Sequence, residues 1–247
     1  MKKAKPILGA FDQGLMPTIA CINWATVDMG VDFTQLIIAL QSYVDLCIMP
    51  HWGVSASLIQ TDNYIKGAWA IVFVDDADVA GALAYHDLTP DGFPLSKVFV
   101  KTTLGYGASV SVAASHELVE MLVDPAINIM TTGPSAKTMY CYETADPVED
   151  DSLAFLINGI PMSDFVFPAY FESFRRSRST QFDYQNRITR PFQILPGGYQ
   201  IIFRSGRWTE IFGSKTKAKA FKKEDRRGHR SEARKRRTLT RVTSKHL

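Results

Sequence analysis

One stretch of the chain is apolar on most sides of a helix. Ser109 to Pro125 reads SVSVAASHELVEMLVDP, with Val110, Val112, Ala114, Leu118, Val119, Met121, Leu122 and Val123 spread around the axis. A helix with that pattern is a buried one. Ser109 follows the turn Gly105-Tyr106-Gly107 and is placed to cap the N-terminus, and Pro125 stops the helix. Phe33 to Leu46 has its apolar residues at helical spacing and predicts an amphipathic helix. Residues 18–25, 53–59, 69–74, 81–86 and 97–102 read as strands, the last two joined by the turn-rich LTPDGFPLS. Later, Leu156 to Ile160 predicts a hairpin turning at Asn158-Gly159. Phe192–Leu195 and Tyr199–Phe203 predict another, turning at Pro196-Gly197-Gly198, and Trp208 to Phe212 closes the body. The aromatic-rich Ser163 to Phe174 reads as core or as a cleft wall, core being the commoner use. Strand, helix, several strands and then a buried helix make an α+β class with a mixed sheet.

The polar residues of the buried helix carry the chemistry. At about 100° per residue, with His116 at zero, Glu120 falls near 40°, Asp124 near 80° and Glu117 near 100°. Three carboxylates and an imidazole thus share one sector, with only the small Ala113 among them. On a buried helix such a group is costly to desolvate. A divalent cation resolves the conflict, because His at i and a carboxylate at i+4 grip one ion from one face. In His-Glu-x-x-Glu that leaves Glu117 as general base on a metal-bound water. Asp124 belongs to the same metal-candidate sector. The alternative is an acidic stripe facing water, with His116 a satisfied polar residue.

A third ligand has to come from elsewhere in the chain. Met139 to Asp151, MYCYETADPVEDD, offers Glu143 or Asp146, and a solvated acidic loop is the competing reading. Glu149 to Asp151 read as that loop. The expectation is one zinc per chain. His86, in YHDLTP, reads as a hydrogen-bonded loop histidine, with a substrate-side role as the alternative. His51, beside Pro50 and Trp52, reads as packing. Gly105-x-Gly107 lacks the third glycine of a dinucleotide site and is turn chemistry.

At 247 residues the chain supports one sizeable core with a tail. No run of 18 apolar residues occurs, so no membrane partner is expected. The start, MKKAK, resembles a signal n-region, but Asp12, Gln13 and Pro17 interrupt the next stretch before an apolar h-region forms. The N-terminus therefore reads as non-secreted, and the expected location is cytoplasmic. Cys21, Cys47 and Cys141 have no paired spacing and read as buried thiols, with Cys141 a conceivable metal neighbour. The net charge of +3 conceals a division. Residues 213–247 hold fourteen Lys/Arg against three Asp/Glu, and residues 1–212 hold fourteen against twenty-two. The reading is a domain over 1–212 and a basic tail over 213–247, disordered or partner-bound. Lys222, Lys223, Arg226, Arg227, Arg234, Lys235, Arg236 and Arg237 are its candidate contacts to a polyanion, nucleic acid or an acidic protein surface.

SHELVEMLVDP, followed by YETADPVEDD, NGIPMSDFVFPAYF and LPGGY, resembles a zincin-like His-Glu-x-x-Glu metallopeptidase family of bacteriophage and bacterial genomes. The likeness spans roughly residues 65–203, and the helix motif is its specific part. The resemblance implies a zincin-like mixed sheet, zinc on His116 and Glu120, Glu117 as base, and Glu143 or Asp146 as third ligand. The helix motif alone also resembles plant phosphate-induced extracellular proteins. Against the peptidase pattern His-Glu-x-x-His, Glu120 replaces a histidine. The added negative charge makes a bound metal a weaker Lewis acid. Two functions therefore stand. One is a metal-dependent hydrolase acting on peptide or protein substrates. The other, which the resemblance makes virion-associated in location, is a structural protein of the virion, its zincin fold degenerate, docking to nucleic acid or other virion proteins through the basic tail.

Overall fold

The computed structural model describes residues 16–78 and 82–223. Strand β1, Thr18–Asn23, is buried through Ile19, Ala20, Cys21 and Ile22, and so needs cover on both faces. It lies between β2, Ser57–Thr61, and β3, Trp69–Val74, parallel to both. The helix between β1 and β2 supplies part of that cover. Asp32 caps α1, Phe33–Tyr43, by accepting the Gln35 N–H at 2.9 Å. Leu36, Ile37, Leu40 and Tyr43 form its buried face. The helix runs on through a π turn, Val44–Ile48, into α2, Met49–Trp52, and ends at Gly53, where φ is +67°. Phe33–Trp52 is long and apolar enough to cross a membrane by length and composition alone. Here its inner face is part of the main core, and the Tyr43 hydroxyl donates to the Ser163 carbonyl.

Strand β4, Ala84–Leu88, and β5, Pro94–Phe99, complete a five-stranded sheet in the order β2-β1-β3-β5-β4. All its pairs are parallel except β4 with β5. The antiparallel edge places His86 opposite Ser96. The strand expected over 97–102 lies three residues earlier, at Pro94–Phe99, and ends before Val100. The backbone N–H groups of Lys101 and Thr102 donate to the Asp75 carbonyl, and a short helix α3, Val100–Gly105, begins there. Helix α4, Val110–Val123, follows with Ser109 as its N-cap. It packs beneath β4 and β5, and Ser96 Oγ donates to Met121 Sδ at 3.4 Å.

Beyond α4 the chain builds a second, antiparallel sheet. Strands β6, Met130–Thr132, and β7, Thr138–Cys141, come first. A separate hairpin follows, β8, Phe155–Ile157, and β9, Ile160–Met162. Its turn residues Asn158 and Gly159 have φ of +52° and +79°, the left-handed pair that an Asn-Gly hairpin turn needs. Strands β10, Tyr199–Arg204, and β11, Arg207–Phe212, finish the sheet in the order β11-β10-β7-β6. Strand β10 pairs with β11 and β7, so the expected hairpin with Phe192–Leu195 does not form. Phe192 sits at φ +55° between Pro191 and the turn, outside extended geometry, and packs with Val148, Tyr170 and Phe171. The aromatic run from Ser163 is core as far as Phe171, with Phe165, Phe167, Tyr170 and Phe171 buried, while Phe174 at its end is exposed. The segment read as tail opens with helix α5, Lys215–Lys223. Gly213 N–H and Ser214 Oγ tie its start to Gly198 and Pro196. The described chain is a mixed α+β body.

Candidate metal centre

Helix α4 is surrounded by chain, and its polar sector is inside. His116 is 6% exposed, Glu117 2%, and Glu120 and Asp124 not at all. The water-facing acidic stripe is therefore not what the fold builds. Glu143 and Asp146, carried just past β7, are likewise fully buried. Of the charged groups, none of the buried ones among the described residues is a lysine or arginine.

The sector has three parts. Toward the second sheet, His116 Nε2 lies 3.4 Å from Glu120 Oε1 and 3.2 Å from Asp146 Oδ1. The backbone N–H groups of Ala145 and Asp146 donate to Glu120 Oε1 at 3.2 and 3.3 Å, which fixes the segment against the helix. Toward the first sheet, His86 Nδ1 donates to Glu117 Oε2 at 2.9 Å and lies 3.6 Å from Glu120 Oε2. Its Nε2 faces Glu143 Oε2 at 3.9 Å. At the C-terminal end of the helix, Asp124 accepts the N–H groups of Asn128 and Ile129 at 2.9 and 3.0 Å.

Two donor triads result, His116–Glu120–Asp146 and His86–Glu120–Glu143, each with its ligand atoms within 4.8 Å of one another. Four of the expected metal residues, His116, Glu120, Glu143 and Asp146, are thus brought together. Asp124 belongs to neither triad and instead braces the turn after α4. Cys141 also stands apart from them, packed with Tyr199 and Ile201. His86, read as a loop residue, is a buried strand residue at the centre of the site. His51 stacks on Phe167, rings 3.8 Å apart, as expected for packing.

The first triad can be tested against an ion. With metal–ligand bonds of about 2.0–2.1 Å, the edges of a tetrahedral zinc site are about 3.3–3.4 Å. The two edges from His116, 3.4 and 3.2 Å, match that spacing, and the third lies within 4.8 Å. The imidazole and carboxylate donors also suit zinc. Burial opposes the charged form of His116, but the Glu120, Asp146 and Glu117 carboxylates outweigh it and hold its pKa well above the usual histidine range. The site is organised around positive charge.

Access runs along a cleft of ≈ 320 Å³ whose walls include Leu83, Tyr106, Val112, His116, Asp150 and Lys217. Asp151 at its rim accepts the Ser109 N–H at 2.7 Å, coupling the acidic loop to the start of α4. Lys217 of α5 pairs with Glu149 at 3.0 Å. Among the polyanion candidates, Lys222 and Lys223 end α5. Arg226, Arg227, Arg234, Lys235, Arg236 and Arg237 lie outside the described residues. No protein-family model, curated protein or solved structure matches this chain.

Proposed function

We propose that this protein is a zincin-like metal-dependent hydrolase acting on peptide bonds. The observation that carries the reading is the convergence of His116, Glu120 and Asp146, with both edges from His116 at tetrahedral spacing, beside the buried carboxylate of Glu117 and at the end of a cleft. A zinc ion held there supplies Lewis acidity, polarising a carbonyl and making water a nucleophile near neutral pH. The chain supplies the rest. His116 and Asp146 fix the donor geometry, and the Ala145 and Asp146 amides hold Glu120 in place. Glu117, oriented by His86 through Oε2, accepts the proton that the attacking water loses and returns it to the leaving amine. The mixed sheet with its antiparallel edge strand over the helix is compatible with a zincin-like half-domain. Glu117→Gln should keep the metal, keep the His86 hydrogen bond, and lower turnover at least about 10²-fold. Full turnover in that variant would remove Glu117 from the role.

One observation favours a second reading, a virion-associated structural protein. An acidic body carries a strongly basic C-terminus, the distribution of a chain that docks on a polyanion. Removal of residues 224–247 should then weaken DNA binding in a salt-dependent way and leave the melting transition unchanged. Salt-insensitive binding, or binding equal to the full chain, would exclude this use of the tail.

A further inference from the structure

The hydrolase reading employs His116, Glu120 and Asp146. Glu143 has no part in it, and His86 serves only to orient Glu117. These two residues form the second donor triad, and its third member is again Glu120. His86 comes from edge strand β4 and Glu143 from the chain just after β7, so the triad spans both sheets.

The two triads meet at one carboxylate. Glu120 Oε1 faces His116 Nε2 at 3.4 Å, and Oε2 faces His86 Nδ1 at 3.6 Å. Each oxygen serves a different lobe. A carboxylate used in this way bridges two cations, and paired-ion hydrolytic sites hold their ions about 3.5–4 Å apart. We propose that this protein binds two divalent ions bridged by Glu120, with His86 and Glu143 completing the second lobe. The proposal rests on the first lobe being the metal site of the hydrolase.

Three features support it. The His86 ring is turned so that Nδ1 donates to Glu117 while Nε2 faces Glu143. An imidazole that ligates through one nitrogen and donates from the other to a carboxylate is the usual arrangement around a metal. Charge is the second feature. Glu117, Glu120, Asp124, Glu143 and Asp146 are five buried carboxylates against two buried imidazoles, with no buried lysine or arginine among the described residues. One divalent ion compensates fewer than half of those carboxylates, and two compensate most of them. The third is donor type: nitrogen and carboxylate oxygen suit first-row divalent ions such as zinc and manganese. The 3.9 Å spacing of His86 Nε2 and Glu143 Oε2 is wider than either measured edge of the first lobe, so the second lobe is the looser one and the weaker site.

The test is metal stoichiometry and spin coupling in the full chain. Protein dialysed against saturating Zn²⁺, and separately Mn²⁺, is assayed by elemental analysis. Two ions per chain are expected in wild type, one in His86→Ala and in Glu143→Gln. The Mn²⁺-loaded wild type should give the electron paramagnetic resonance signal of an exchange-coupled pair, replaced in Glu143→Gln by that of isolated Mn²⁺. One ion per chain in wild type, unchanged by either substitution, overturns the second lobe and leaves the first standing. Two ions without exchange coupling overturn the bridge. No ion in folded wild type overturns both this proposal and the hydrolase reading. The wild-type measurements decide the matter even if a variant fails to fold.

Discussion

His86 and Glu117 are joined by a 2.9 Å hydrogen bond between two buried side chains that are 31 residues apart in sequence. The bond ties edge strand β4 to the face of α4 that carries the site. Removing His86 takes this donor from the buried Glu117 carboxylate, which costs about 1–3 kcal/mol. In metal-free protein, His86→Phe and Glu117→Met, each of which removes the bond, should therefore be non-additive. Denaturant unfolding of the two single variants and the double should give a coupling of at least about 1 kcal/mol. Additive values would mean that the pair contributes no mutual stabilisation.

Asp124 looks like a ligand by helical angle and behaves as a brace by hydrogen bonding. Asp124→Ala removes the acceptors of the Asn128 and Ile129 N–H groups. The expected result is a loss of about 1–3 kcal/mol of stability with metal content unchanged. Loss of metal from a variant that remains folded would return Asp124 to the ligand set.

Gly198 reaches the site through backbone. A Cβ there would lie 2.3 Å from the Pro147 carbonyl oxygen and 2.7 Å from that of Asp146. Gly198→Ala must displace the segment that positions Asp146. Zinc affinity should fall about tenfold or more, in line with other changes to the support of metal ligands. Competition with a chromogenic chelator measures it, and unchanged affinity would show that the segment moves without carrying Asp146 along.

Asp164 gives the pH dependence. Burial, together with the facing carboxylate of Asp183, raises its pKa from 3.8 to about 8. Asp183 is occupied by the N–H groups of Arg187 and Ile188. Because the folded pKa is raised, folding favours the protonated acid. That stability is fully present below about pH 4 and is lost progressively as pH rises toward 8. Asp164→Asn imitates the protonated form and keeps an acceptor for the Phe165 and Gln185 N–H groups. At pH 8.5 it should be the more stable protein, by on the order of 2 kcal/mol, with the advantage shrinking toward pH 5. Thermal melts across that range check it, and a pH-independent difference would place the cause elsewhere.

Local chemistry made parts of this fold legible. The Ser109 cap, the Pro125 stop and the 3.6-residue spacing were enough to locate α4 and its polar sector. Asn158-Gly159 sufficed for its hairpin because few other dipeptides accept two positive φ values. The strand read into Phe192–Leu195 failed because apolar residues between prolines look extended, while the actual φ of Phe192 is set by aromatic packing. Val100 to Thr102 turned helical because of a carbonyl on Asp75, which no local pattern announces. His86 was hidden for a similar reason. Its partners lie on α4 and after β7, and only the antiparallel return of β4 aims it at them. Between Glu143 and Asp146 the sequence could not choose, and the fold gives each a separate set of neighbours.

The donors around Glu120 come from an edge strand of one sheet, a helix, and the segment leaving a strand of the other sheet. A cation seated among them is a cross-link as well as a reagent, fastening together parts of the chain far apart in sequence. Its binding energy then becomes folding energy. Susceptibility to proteolysis and melting temperature should therefore track the free concentration of the ion, so that this body is sturdy where divalent metal is plentiful and loosens where it is scarce.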